Sequence, residues 1–200
     1  MTEKEKMLAG QIYDSSDAEL VSMRSKAHRI CLEYNQLFEG ESEKRSSLLK
    51  ELIPHQGNNL YLQGPVQFDY GEFTTFGTNC YANFNLVILD CAPVKIGDDV
   101  FFGPNCSVVT PVHPLVNDER KQRQKEDGTF YTKEYAKPIT IGSGVWFGSN
   151  VTVCGGVKIG NNCVIGAGSV VTRDIPDNSL AAGVPCKVIR KITDSDRIFQ

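Results

Sequence analysis

The chain has 200 residues, of which 40% are hydrophobic and 22% are charged, and its formal net charge is −3. This size predicts one domain with an appendage and enough apolar material for a continuous core. The slightly acidic balance gives no basis for binding nucleic acid or an anionic membrane, and no run approaches the ~20 apolar residues of a membrane span. The seven cysteines form no CxxC pair, and the charged start, Met1 to Lys6, lacks the apolar core of a secretory signal, so a reduced, cytoplasmic protein is expected.

Residues 1–57 are predicted to form an N-terminal helical segment. Apolar residues recur at intervals of three and four from Leu20 to Leu37, which predicts an amphipathic helix that starts at a capping box of Ser16 and Glu19. A second short helix is expected from about Ser42 to Ile53. Because such helices cannot form a large core alone, we expect them to pack against the domain that follows.

A six-residue period organises most of the remaining chain. Its apolar positions are Ile141, Phe147, Val153, Ile159, Ile165 and Val171, with the same register upstream at Ile96, Phe102 and Val108. This period fits neither an α-helix nor an ordinary strand. It predicts a parallel β-helix in which three hexapeptides form each triangular coil and the apolar residue points inward. We expect the β-helix over residues 58–186 and a C-terminal tail over residues 187–200.

The period is interrupted in two ways. The spacing from Phe68 to Phe76, and again from Ile88 to Ile96, is eight residues, so the two extra residues should bulge at corners. Residues 111–138 carry charges and no six-residue pattern, which predicts a long loop excursion from the prism. Long ordered loops in repeat proteins are often functional.

One histidine opens this excursion. His113 lies between two prolines that stiffen the backbone, and histidine has the pKa suited to a general base near neutral pH. His28 lies in the first helix and His55 in a linker, and for both we expect surface or packing roles. Position alone leaves His113 open as either a catalytic or a surface residue.

Several motifs together resemble the maltose and galactoside O-acetyltransferase family. They are Tyr81-Ala82-Asn83-Phe84-Asn85-Leu86, residues 110–114, residues 138–142 with 145–148, residues 181–186 and, near the start, residues 5–10 with Tyr13. The resemblance covers nearly the whole chain, and the joint occurrence of the motifs is more specific than the repeat alone. It implies a mainly β, left-handed parallel β-helix that forms a homotrimer and transfers acetyl from acetyl-CoA, its co-substrate, directly to a sugar hydroxyl without a metal.

The resemblance also implies site residues. His113 would remove the acceptor proton, and Asn83 would help to stabilise the oxyanion. Asp14, Asp69, Asn83 and Cys91 match acceptor-binding positions, although Cys91 stands where galactoside enzymes carry an acidic contact, which favours a maltose-type acceptor. The matching acetyl-CoA-binding positions are Asn83, Trp146, Ser149, Ala167, Thr172, Arg173, Lys187 and Arg190.

The same fold serves other functions. A γ-type carbonic anhydrase needs three histidines on zinc, whereas His113 alone lies in the prism region of the sequence. A non-catalytic scaffold would need no histidine-bearing excursion. An acyltransferase that acts on an amine or another non-sugar acceptor is the leading alternative, because the sequence does not name the acceptor.

Overall fold

The computed structural model describes residues 1–199 and shows a helical N-terminal segment followed by a three-sided parallel β-helix. The helices are α1 (Glu3–Leu8), α2 (Ala18–Asn35), α3 (Ser42–Leu52) and α4 (Asn117–Arg120), and a 3-10 helix covers Asp194–Asp196. The two helices expected in the N-terminal segment are α2 and α3, and α1 adds a short third one. Within residues 1–199, the structure contains no helix both long and apolar enough to cross a membrane.

The start of α2 differs from the expectation. The carboxylate of Asp17 caps the helix and accepts hydrogen bonds from the backbone N–H groups of Glu19 at 3.0 Å and Leu20 at 3.4 Å. The predicted capping box of Ser16 and Glu19 is wrong, because the Ser16 hydroxyl donates to Asp14 Oδ1 at 2.7 Å. Asp17 therefore satisfies the N–H groups that have no partner within the helix.

Short strands make up most of the chain. In chain order they are β1 (Tyr13–Asp14), β2 (His55–Gln56), β3 (Tyr61–Leu62), β4 (Val66–Phe68), β5 (Thr74–Phe76), β6 (Tyr81–Ala82), β7 (Leu86–Leu89), β8 (Val94–Ile96), β9 (Phe101–Phe102), β10 (Ser107–Val109), β11 (Pro111–Val112), β12 (Arg123–Gln124), β13 (Phe130–Tyr131), β14 (Lys133–Ala136), β15 (Ile139–Ile141), β16 (Trp146–Phe147), β17 (Thr152–Cys154), β18 (Lys158–Ile159), β19 (Val164–Ile165), β20 (Val170–Val171), β21 (Ser179–Ala182) and β22 (Lys187–Lys191).

Three sheets form the sides of the prism. The first side holds β2, β5, β8, β15 and β18; the second holds β3, β6, β9, β16, β19, β21 and β22; the third holds β4, β7, β10, β17 and β20. The chain passes from the first side to the second and then the third in each coil. Stacked corner residues are 20 positions apart in the early coils, as for Asn59 and Asn79, and 18 apart later, as for Ser143 and Asn161.

The apolar residues of the six-residue period form the core of the prism. Those from Ile141 to Val171 are all at most 2% exposed, and the rings of Phe102 and Phe147 stack 4.7 Å apart. Glycine follows these positions because successive corners touch: a Cβ at Gly148 would lie 2.6 Å from the backbone nitrogen of Ala167. The prediction of a parallel β-helix of hexapeptide repeats is confirmed.

A buried carboxylate joins the two corners that have eight-residue spacing. Asp90 is fully buried and accepts hydrogen bonds from the Tyr70 backbone N–H at 2.8 Å and the Thr74 hydroxyl at 3.0 Å. Burial raises the pKa of Asp90 to about 6, because desolvation disfavours the ionised form. Asp90 thus ties the corner of one coil to the corner of the coil before it.

The excursion over residues 111–138 contains regular structure. Its arms, β11 and β14, pair antiparallel, and β14 also pairs with β1 from the N-terminal segment. We call the resulting three strands, β1, β14 and β11, the excursion sheet. Between the arms lie α4 and the antiparallel hairpin of β12 and β13. The N-terminal segment is therefore a structural part of the excursion.

Two element boundaries lie elsewhere than the sequence suggested. Strand β2 falls within the predicted helical segment of residues 1–57 and pairs with β5. Strand β22 falls within the predicted tail of residues 187–200 and pairs antiparallel with β21. Gln56 of β2 stands six residues before Leu62 and pairs with Phe76, but its side chain is polar, so the apolar period did not mark this strand. Strand β22 lies outside the six-residue period.

Candidate active site

His113 follows β11 at the base of the excursion sheet. The strand register pairs Val112 with Tyr135, so His113 lies opposite Glu134 on β14. The imidazole Nε2 of His113 is 3.6 Å from Glu134 Oε2, and the histidine side chain is 49% exposed while that of Glu134 is 13% exposed. An accessible imidazole thus lies beside a largely buried carboxylate.

The Glu134 carboxylate has a partner on each oxygen. Its Oε1 accepts a hydrogen bond of 2.7 Å from the hydroxyl of Tyr13, which is 1% exposed. Its Oε2 faces His113. The arrangement suits a general base whose cationic form needs stabilisation.

Glu134 is a functional candidate that the sequence reasoning missed. It lies in the excursion, outside the six-residue phase, so the period carried no signal for it. The ends of the excursion do not reveal it either, because residues equally far from positions 111 and 138 would pair His113 with Ala136. The observed register of β11 with β14 is offset by two residues and places Glu134 opposite His113.

Two of the predicted acceptor residues are in contact. The Cys91 thiol donates to Asp69 Oδ2 at 3.4 Å, and His28 Nε2 lies 3.7 Å from Asp69 Oδ1. Burial raises the pKa of the Cys91 thiol, and the nearby Asp69 carboxylate raises it further. The thiol therefore stays protonated and is a poor nucleophile. His28 is exposed, as expected, but its ring also reaches this cluster.

Asp14, which matches an acceptor-binding position, lies on β1. Its Oδ2 pairs with Lys125 Nζ at 2.5 Å, and its Oδ1 accepts hydrogen bonds from the backbone and the hydroxyl of Ser16. Lys125 lies in the turn between β12 and β13. Both oxygens of the Asp14 carboxylate therefore have partners within the chain, and the contact with Lys125 joins the N-terminal segment to the excursion hairpin.

Asn83 and His113 lie at different edges of the prism. Asn83 follows β6 at the edge between the second and third sides, which we call the Asn83 edge. Asp69 and Cys91 follow β4 and β7 of the third side, and His113 lies beyond β10 of that side, after β11. We call this the His113 edge. Strand β7 of the third side has four residues, so roughly 13 Å of strand separates the two edges. One chain does not bring Asn83 and His113 together.

The side chain of Asn83 is oriented by its own loop. Its Oδ1 accepts a hydrogen bond of 2.8 Å from the backbone N–H of Phe84. This contact uses the carbonyl end of the amide, so the Nδ2 group is the end that can donate to a ligand.

The predicted acetyl-CoA positions are divided between the edges. Ser149 and Ala167 lie in stacked corners at the Asn83 edge, where the Gly168 N–H donates to the Ser149 carbonyl at 2.8 Å. Trp146 precedes this edge on β16 and is 55% exposed. These residues form an accessible strip along the same edge as Asn83.

The remaining positions carry the cations. Thr172 and Arg173 follow β20 at the His113 edge, and both are exposed. Lys187 and Arg190 lie on the exposed strand β22. The Arg190 guanidinium forms two hydrogen bonds, of 2.7 and 2.9 Å, with the Asp196 carboxylate.

Across residues 1–199, the structure places no group of three or more His, Cys, Asp or Glu side chains where they could hold a metal ion. The seven cysteines, all in the described part of the chain, are free thiols.

Family models match three parts of the chain. The maltose acetyltransferase hexapeptide capping motif matches residues 6–57, the hexapeptide repeat of succinyl-transferase residues 93–113, and the bacterial transferase hexapeptide (six repeats) residues 138–173. The galactoside O-acetyltransferase of Escherichia coli (strain K12) is 43% identical over 195 residues, which cover 98% of this chain and 92% of that protein. The chain belongs to the maltose and galactoside O-acetyltransferase family.

Solved structures of this acetyltransferase family share the fold described above. A maltose O-acetyltransferase from Clostridium difficile 630 superposes with a TM-score of 0.89 at 39% identity, covering 97% of this chain and 99% of that one. A galactoside acetyltransferase in complex with coenzyme A gives a TM-score of 0.90 at 42% identity, covering 100% and 96%. The family predicted from the motifs is confirmed.

Proposed function

We propose that the chain is an acetyl-CoA-dependent O-acetyltransferase that transfers acetyl directly to a hydroxyl of a maltose, glucose or galactoside type of sugar. The observation that carries this proposal is the accessible His113 imidazole beside the buried Glu134 carboxylate. The names of the relatives support it, since they include a maltose O-acetyltransferase and a galactoside acetyltransferase bound to coenzyme A.

His113 acts as the general base. A sugar hydroxyl has a pKa far above neutrality, so it must lose its proton as its oxygen bonds to the thioester carbonyl carbon. The imidazole takes that proton, and Glu134 stabilises the imidazolium through the 3.6 Å contact. When the carbon–sulfur bond breaks, the imidazolium returns the proton to the departing thiolate. Such a base is worth ~10²–10⁴-fold in rate.

Asn83 stabilises the charge that develops on the carbonyl oxygen. Its Nδ2 group donates without titrating, and the hydrogen bond from the Phe84 N–H to Oδ1 holds the amide in place. A donor of this kind contributes roughly 3–4 kcal/mol to lowering the barrier. Direct transfer needs no covalent enzyme intermediate, which agrees with the protonated state of Cys91.

The active site is completed by a second copy of the chain. Asn83 and His113 lie at different prism edges, so both can reach one acetyl group if the Asn83 edge of one copy faces the His113 edge of another. A cyclic trimer repeats this contact three times and leaves no unpaired surface. We therefore assign the protein as a homotrimer with its sites between copies.

An exposed aromatic column is a candidate part of this contact. Tyr61, Tyr81, Phe101 and Trp146 lie in register on neighbouring strands of the second side. The Tyr61 and Tyr81 rings are 6.0 Å apart, and those of Tyr81 and Phe101 are 6.3 Å apart. Phe101 and Trp146 are 49% and 55% exposed. Exposed apolar patches of this kind mark interfaces in soluble proteins.

Acetyl-CoA supplies the activated acyl group, and the residues along the Asn83 edge fit its shape. Ser149 and Ala167 have small side chains, so the pantetheine arm can approach the backbone there. Lys187 and Arg190 can pair with its phosphates, although Arg190 would have to exchange its contact with Asp196. Thr172 and Arg173, at the other edge, would reach the same molecule from the neighbouring copy.

We place the acceptor beside Asp69, whose side chain is 21% exposed, and Cys91, which is buried. Asp69 offers carboxylate oxygens to sugar hydroxyls, and Cys91 presents a neutral thiol beside it. A neutral polyol suits this pocket better than an amine that must lose a proton before it attacks. The sugar and acetyl-CoA are both metabolites of the cytoplasm, where we place the protein.

The test compares wild type with His113→Ala by CoA release, using maltose, glucose, a galactoside, serine and an amino sugar nucleotide. His113→Ala should lower turnover with sugars by at least ~10²-fold, with little change in acetyl-CoA binding. His55→Ala, an exposed histidine outside the site, is the matched control and should retain activity. Near-normal turnover in a folded His113→Ala variant would show that His113 is not the general base. CoA release with the amines alone would contradict sugar O-acetylation.

A further inference from the structure

Tyr13 lies behind the catalytic pair but comes from the N-terminal segment. It is 121 positions from Glu134 in the sequence, and the two residues are direct partners in the pairing of β1 with β14. Opposed residues of an antiparallel pair have their side chains on the same face of the sheet. This register is why the Tyr13 hydroxyl meets the Glu134 carboxylate.

The contact restrains the carboxylate from the side away from His113. Tyr13 donates to Glu134 Oε1 at 2.7 Å, while Oε2 is the oxygen that faces the imidazole. Burial raises the pKa of the Tyr13 hydroxyl far above its ordinary value, and the nearby Cys91 and Glu134 raise it further. The hydroxyl therefore keeps its proton and remains a donor to Glu134.

We propose that Tyr13 is a positioning residue for the reaction, which acts on His113 through Glu134. This inference rests on the proposed function of His113 as general base. The hydroxyl fixes the rotation of the Glu134 carboxylate and stabilises its negative charge, so that Oε2 stays available to the imidazolium. The N-terminal segment thereby supplies a functional group to the site as well as covering the prism.

A double-mutant cycle tests the proposal on the full-length protein. Tyr13→Phe should lower kcat about tenfold, as expected for losing a buried hydrogen bond to a charged group, with the KM for acetyl-CoA unchanged. In a Glu134→Ala background the same substitution should change kcat by less than about twofold, because no carboxylate remains to be oriented.

Tyr34→Phe is the matched control. Tyr34 is also 1% exposed, and its hydroxyl donates to the Leu62 carbonyl in the first coil, away from His113. Tyr34→Phe removes the same hydroxyl oxygen from a buried tyrosine, so this variant should have a lower melting temperature while its kcat stays within about twofold of wild type.

The outcomes separate the two proposals. Full additivity of Tyr13→Phe and Glu134→Ala, or a Tyr13→Phe variant that loses stability but not kcat, would make Tyr13 a structural anchor and overturn the inference. An active His113→Ala variant would instead overturn the function of His113. If His113→Ala is inactive while Tyr13→Phe matches wild type, only the role of Tyr13 fails.

Discussion

Asp90 holds a carboxylate inside a prism corner, with the Tyr70 N–H and the Thr74 hydroxyl as hydrogen-bond donors. Its pKa is raised from 3.8 to about 6 by burial. Between these values the folded chain binds more protons at this site than the unfolded chain does. The contribution of Asp90 to the free energy of unfolding therefore falls as pH rises from about 4 to about 7.

Asp90→Asn should remove this dependence. The amide can still accept from Tyr70 but cannot ionise, so the variant should gain stability relative to wild type as the pH rises. A shift of about two pKa units corresponds to roughly 3 kcal/mol. Urea unfolding at fixed protein concentration from pH 4 to pH 8 measures the difference. A difference that stays flat with pH would show that Asp90 ionises normally in the folded state.

Lys125, in the turn of the β12–β13 hairpin, contacts Asp14 and Ser16 of the N-terminal segment. We call these contacts the clasp. Lys125 Nζ lies 2.5 Å from Asp14 Oδ2 and donates to the Ser16 hydroxyl at 3.1 Å. It also lies 5.4 Å from the centre of the Tyr131 ring. The clasp connects the strand that carries Tyr13 to the far end of the excursion.

Lys125→Ala should loosen the hairpin, because the charge-assisted contacts of the clasp are lost. Chymotrypsin cleavage after Phe130 or Tyr131 should become several-fold faster than in wild type, and added salt should speed cleavage of wild type but not of the variant. Lys121→Ala is the control, since Lys121 pairs with Asp118 within its own turn. Equal cleavage of Lys125→Ala, Lys121→Ala and wild type would show that the clasp does not hold the hairpin.

The repeat elements were predictable because one rule governs them. Each coil must bury an apolar residue at every sixth position, and Phe147 or Ile165 can be assigned to the core from that spacing alone. The excursion follows no such rule. Its sheet depends on pairing Tyr13 with Glu134 across 121 positions, and nothing local to either residue encodes that contact.

The candidate site was predicted unevenly for the same reason. His113 stood out because it lies at the start of the interruption in the repeat, whereas Glu134 lies inside the interruption among ordinary charged residues. Asp14 matches an acceptor-binding position, but its carboxylate pairs with Lys125 and accepts a hydrogen bond from the Ser16 backbone N–H. Pairwise contacts of this kind become visible only when the strands are placed.

The prism as a unit separates the two central residues of the proposed mechanism. Asn83 lies at the edge where the third side begins, and His113 lies at the edge where it ends. In the proposed mechanism, a single chain would therefore bind parts of both substrates without completing the site. Assembly of copies around a threefold axis would make catalysis depend on oligomerisation.

Mixing two inactive variants tests most directly whether one acetyl-transfer site takes His113 and Asn83 from different copies. His113→Ala and Asn83→Ala, each inactive alone, are unfolded together in equal amounts and refolded, and CoA release with a sugar acceptor is measured. Random mixing should restore activity to about a quarter of the sites, because that fraction pairs an intact His113 with an intact Asn83. Mixed oligomers that stay as inactive as the separate variants would contradict a site shared between copies.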